Sequence, residues 1–143
     1  MRLIERLAPL FIVHTAQQLD EALAAAQDLD RLCALPPPTG PYQSLFSPIS
    51  SQARTLARSL LAALLEAGLP PGEISRQVDG GLSMEWDFNW RLVSIELDET
   101  GAIFCGTMTF SEDEEADPII EEADGVSIAE CVVAVAEGHA EWE

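Results

Sequence analysis

Leu19, Leu23, Ala26, Leu29 and Cys33 recur at three- and four-residue intervals, the period of one helix face, while Asp20, Glu21, Asp28 and Asp30 fall largely elsewhere. Thr15-Ala-Gln-Gln18 opens this stretch as a capping box, in which a hydroxyl and a Gln side chain satisfy orphan amides reciprocally. Pro36-Pro-Pro38 closes it, because proline lacks the amide a helix needs, and Pro36 to Ser47 reads as a loop. A second helical period runs through Ile49, Ala53, Leu56, Leu60 and Leu64. It is expected to start near Ser47-Pro48, with proline at the first helical position, and to stop at Gly68. Arg54 and Arg58, four apart, form a small basic stripe read as pairing with the protein's own acids.

From Glu73 the period changes from 3.6 to 2. Glu73 to Val78 predicts a short strand, and Asp79-Gly80-Gly81 is a turn signal. Leu82, Met84, Trp86 and Phe88 alternate with polar residues in the next strand, and Val93, Ile95 and Leu97 do so in another. Asp98-Glu-Thr-Gly101 makes a turn into a strand from Ala102 to Phe110. Connections this short imply an antiparallel meander. Ser111 to Gly125 reads as an acidic loop, interrupted at Pro118-Ile-Ile120 by a candidate edge strand. A second capping box, Ser127-Ile-Ala-Glu130, opens a final helix that Gly138 is expected to end. The fold class is α+β: an antiparallel three- to four-stranded sheet packed against two N-terminal helices and one C-terminal helix. The chain divides as one domain over 1–143, with a helical N-terminal half (15–68), a sheet (73–110), an acidic loop (111–125) and a C-terminal helix (127–138).

Val78-Asp-Gly-Gly-Leu-Ser-Met-Glu-Trp86, followed by Leu92-Val-Ser-Ile-Glu-Leu97 and Gly101, resembles a group of small bacterial proteins. Their shared pattern is a helix, a proline-rich link, an Asp-Gly-Gly turn, an alternating strand ending in Glu-Trp, and a second strand closing on a glycine turn. The resemblance covers roughly Leu56 to Leu97. It implies the α+β fold and carries no activity or catalytic residue. The acidic C-terminal third departs from the shared pattern.

Charge changes the picture most. The formal net charge is −18, all seven cations are Arg, and the 52 residues from Leu92 to Glu143 hold 15 Asp or Glu and no Lys or Arg. Such a surface repels nucleic acid and anionic lipid, which excludes direct nucleic-acid and membrane partners, and favours a basic protein or a basic nucleic-acid-binding groove. The 48% hydrophobic content is ample for a core in a chain of 143 residues. Cys33, Cys105 and Cys131 lie apart, outside any CxxC and within apolar stretches, the setting of inert thiols in a reducing cytoplasm. Met1 to Val13 mimics a secretory signal, but Glu5 and Arg6 interrupt its apolar run, so a cytoplasmic protein is expected. Arginine as the only cation, with abundant Ala, Leu, Gly and Pro, suits a GC-rich bacterial or phage genome.

Candidate chemistry is sparse. The histidines are His14 and His139, with no spacing that pairs either to a nucleophile, and no GxSxG, HExxH, P-loop or dinucleotide fingerprint occurs. No catalytic residue, cofactor or metal is therefore expected, and neither acidic run fits a calcium-loop register. Glu85 and Asp87 share one strand face and read as its solvated side, as does Glu96 on the next strand. One conflict remains at Trp90-Arg91-Leu92. Strict alternation turns Arg91 inward and Trp90 and Leu92 outward. Either a bulge shifts the phase, or helices cover both faces, or the three form an exposed recognition patch, Trp and Arg being frequent interface anchors. Trp142 is a second candidate for exposure. The candidate partner-binding set is Trp90, Arg91, Leu92, Glu112, Asp113, Glu114, Glu115, Asp117, Glu121 and Glu122.

The leading expectation is a non-enzymatic acidic domain that neutralises a basic partner, in the manner of antitoxins, immunity proteins or anti-defence inhibitors. Its carboxylates would stand where a groove expects phosphates. The alternative is a small dimeric secretion or assembly chaperone, which requires a homodimer. A third is a small enzyme, which requires His14 or His139 in a pocket beside a Cys, Ser or acid.

Overall fold

The computed structural model describes residues 16–34, 47–113 and 115–142, with the backbone alone at 141 and 142. Thr15, His14, Pro36 to Pro38, Glu114, Glu143 and the side chain of Trp142 lie outside the described residues, and with them the expectations placed there.

Helix α1 spans Ala16–Ala34 and α2 spans Ser51–Glu66. Five strands follow: β1 (Glu73–Arg76), β2 (Leu82–Asp87), β3 (Arg91–Leu97), β4 (Ile103–Thr109) and β5 (Ile119–Asp124). Helix α3, Ile128–Trp142, closes the fold. The sheet is an antiparallel meander in the order β1-β2-β3-β4-β5. The class is α+β with three helices, as expected, but the sheet has five strands rather than three or four. The fifth comes from the segment read mainly as an acidic loop: residues 119–124 pair along β4 from Ile119↔Thr109 to Asp124↔Phe104.

All three helices lie on one face. Helix α1 packs on β1 and α2, α2 lies over β2 and β3, and α3 crosses β3 beside α2. The core between them is Leu29, Leu60, Leu64, Met84, Ile95 and Val135 with their buried neighbours. Trp86 anchors it, its indole N–H donating to the Pro70 carbonyl at 2.9 Å.

Local chemistry sets the boundaries, and three differ from expectation. The second helix begins at Ser51, not at Ser47-Pro48, because Ser50 caps it by accepting from the Ala53 amide at 3.1 Å. The Ser47 and Ser50 amides are instead tied to Val78 and Gly80 carbonyls in the β1–β2 turn. That turn leaves Val78 exposed and stops β1 at Arg76. Helix α3 runs past Gly138, whose role is close approach: a Cβ there would lie 2.5 Å from Cδ2 of the Phe88 ring. Along α1, Ala25 and Leu29 are buried whereas Leu19 and Leu23 are exposed. At about 100° per residue those two leucines sit well round from the Ala25–Leu29 stripe.

Other devices match the sequence. Gly68, at φ 71, ends α2 with paired bonds from Gly68 and Leu69 amides to Leu65 and Leu64 carbonyls. Ser127 and Glu130 cap α3 reciprocally at 3.2 and 3.3 Å. Arg54 and Arg58 both reach Asp30, at 3.2 and 2.8 Å, which holds its carboxyl below the usual carboxylate range.

Candidate functional site

Residues opposite one another in an antiparallel sheet project to the same face. Register therefore sorts every strand residue into a helix-covered face and an uncovered one. Three rows cross the uncovered face. One reads Asp87, Leu92, Met108, Ile120; the next Glu73, Glu85, Ser94, Gly106, Glu122; the third Ser75, Ser83, Glu96, Phe104, Asp124. Six carboxylates, all exposed, share this face with a short apolar row of Leu92, Met108 and Ile120 at one end of it. The Phe104 ring lies along the strand over Gly106, where an added Cβ would meet it at 3.3 Å.

None of the five described arginines reaches this face. Arg31, Arg54 and Arg58 are on helices, Arg76 stands in register with core-facing Leu82, and Arg91 shares its strand face with core-facing Val93 two residues on. Glu73 and Glu85 stand directly opposite each other. A like-charge cross-strand pair opposes folding by roughly 0.2–1 kcal/mol. A solvated face accounts for polar residues, but not for acids without a cation among the described residues.

The sequence-predicted patch is divided by the fold. No bulge is present: pairing runs unbroken from Arg91↔Thr109 to Leu97↔Ile103. The phase conflict is resolved by a tight turn at Phe88–Trp90, with Asn89 at φ 66 and its amide held by the Asp87 carboxylate. Trp90 is half-buried toward α3, its indole N–H donating to the Gly138 carbonyl at 3.1 Å. The Arg91 side chain, 13% exposed, lies 5.7 Å from the Trp90 ring and 3.5 Å from Glu137. Leu92 alone of the three joins the uncovered face. Glu112, Asp113, Glu115 and Asp117 are exposed in the β4–β5 connection, where the Asp113 carboxylate accepts from the Glu115 amide. Glu121 and Glu122 point to opposite faces of β5: Glu122 joins the uncovered face, and Glu121 faces α3. Sequence reading missed Met108, Ile120 and Phe104 as companions of the outer acids. Extending the alternation into Ile119–Asp124 was the signal available.

Between α3 and the β4–β5 end lies an open cavity of about 480 Å³. Its wall holds Cys105, which faces Cys131 on α3. The hydrogen bond from Cys131 brings the Cys105 thiol down to about 7, against the opposing effect of burial. Cys131, committed to Cys105 and buried, is raised. Burial raises Cys33. His139 meets the Phe88 ring edge-on at 6.1 Å. Among the described residues no group of three or more His, Cys, Asp or Glu is arranged to hold a metal ion, and no helix is long and apolar enough to cross a membrane.

No protein-family model, curated protein or solved structure matches the chain.

Proposed function

We propose that this protein is a non-enzymatic binding domain that neutralises a basic partner, and that the uncovered sheet face is its principal contact surface. The observation that carries the reading is the segregation of charge. Six exposed carboxylates share a face with no described cation, while the described arginines stand on the helix side. A rigid sheet presents those acids at fixed spacing, which suits a partner surface built for the phosphates of a nucleic acid. Attraction acts over a screening length of about 8 Å at physiological salt, so it speeds encounter. Leu92, Met108 and Ile120 supply the desolvated contact that slows release.

The test is affinity capture at low salt and at about 0.5 M salt, where screening shortens to a few ångströms. Basic proteins retained at low salt and released at high salt support the reading. Retention indifferent to salt contradicts it. A dimeric chaperone is the second reading, favoured by exposed Phe110, Ile119 and Ile120 at one end of the sheet. It requires a solution mass twice that of the 15.5 kDa chain.

A further inference from the structure

We propose that the outer edge of β5 is a strand-addition site for an extended basic segment of the partner. This deepens the reading above and rests on it, by naming the form in which the basic partner presents its charge.

An edge strand leaves a row of backbone donors and acceptors without strand partners, and folds blunt such edges by shortness, cover or charge. The two edges of this sheet are treated differently. β1 is four residues long and α1 packs against it. β5 is six residues long, every residue is exposed, and among the described residues no strand lies beyond it. Ile119 and Ile120 are 62% and 57% exposed. Only charge guards this edge.

That guard is selective. Antiparallel pairing of two copies through the middle of β5 sets Glu121 and Glu122 of one against those of the other. Like charges directly opposed are unfavourable, so a second copy is rejected, whereas a strand with cations at the same positions gains. The cavity beside β5 adds a second feature. Val126, Val133 and Ala134 give it apolar walls, and Glu121 and Glu130 stand at its margin without an ion pair among the described residues. Arg and Lys carry an apolar stem and a charged head, the shape such a cleft accepts. An added strand would place one such side chain opposite Glu121 toward the cavity, and others opposite Glu122 and Asp124 on the uncovered face. Apolar residues would fall opposite Ile119 and Ile120. Read antiparallel to β5, the complementary segment is Arg-Thr-Arg-Arg-Val-Val.

The probe is that hexapeptide, acetylated and amidated, titrated into the full chain. Two further versions carry N-methyl groups on alternate residues, one in each phase. In strand addition only one phase of amides points at β5. The parent peptide is expected to bind at low salt and to slow amide exchange across 119–124 at least about tenfold. One methylated peptide should match the parent and the other should bind at least about tenfold more weakly. If the two methylated peptides bind equally, strand addition is overturned while the basic-partner reading stands. If the parent fails to bind at low salt, strand addition is overturned, while the basic-partner reading stands or falls on the salt-dependent capture described above. Protection of β5 without peptide, together with a doubled mass, assigns the edge to a second copy and overturns the proposal.

Discussion

Glu73 on β1 and Glu85 on β2 stand directly opposite one another on a face that holds no described cation. Replacing Glu85 with Arg converts a repulsive cross-strand pair into an attractive one, a change of roughly 0.2–1 kcal/mol or more. The expected outcome of Glu85→Arg is a raised thermal midpoint together with weaker binding of a basic partner. Thermal unfolding and a binding titration on the same preparation check both halves. A gain in stability with unchanged binding would remove Glu85 from the contact surface.

Trp90 and Leu92, neighbours in sequence, serve different faces. Trp90→Phe keeps an aromatic ring there but removes the indole N–H bond to Gly138, so it should cost at least about 0.5–1.5 kcal/mol of stability and leave partner binding intact. Leu92→Asp should weaken partner binding, because a charge replaces an apolar anchor on the uncovered face. Denaturant unfolding and a binding assay on both variants show whether the two effects separate.

How much of this was legible in the chain depends on the kind of signal. Both capping residues of α3 and the strand alternation from Leu82 to Leu97 are local, and local chemistry determines them. Gly138 looked like a helix stop because its meaning lies in Phe88, fifty residues earlier. The direction of Trp90 was hidden for a similar reason: its hydrogen-bond partner belongs to α3. The acidic loop concealed β5 because Glu-Glu-Ala-Asp has poor strand propensity, and pairing with β4 overrides that preference. The uncovered face itself becomes visible only when register aligns Leu92, Met108 and Ile120 from three separate strands.

Gly138→Ala tests the close approach. Alanine favours a helix over glycine by about 1 kcal/mol, but the added methyl would sit 2.5 Å from the Phe88 ring, an overpacking cost of about 1–3 kcal/mol. The clash should win, giving a net loss of stability by denaturant unfolding. Phe88→Leu in the same chain should lower the cost of the alanine. A stabilised Gly138→Ala single variant would contradict this packing.

Cys105 should react as a thiolate near neutrality. Its thiol is lowered to about 7 by the bond from Cys131, so its alkylation rate should rise through pH 7 rather than pH 9. Cys131→Ala removes that donor and should move the midpoint upward. The linkage has a definite sign. The lowered Cys105 thiol contributes stability that is lost as pH falls through about 7, and the raised Cys131 opposes it at alkaline pH. Mass-resolved alkylation across pH 6 to 10 reads the midpoint for each cysteine.

Geometry, not total charge, is expected to select the partner. Two charge-matched variants separate these. One neutralises the face through Glu85→Gln, Asp87→Asn and Glu96→Gln; the other neutralises the β4–β5 connection through Glu112→Gln, Asp113→Asn and Glu115→Gln. Quantitative affinity capture from a bacterial extract at about 0.15 M salt compares both with the unaltered protein, on a scale where tenfold corresponds to about 1.4 kcal/mol. A basic protein should be retained by the unaltered chain and the connection variant, and fall at least about tenfold with the face variant. Equal loss from both variants, or retention by both, would contradict it.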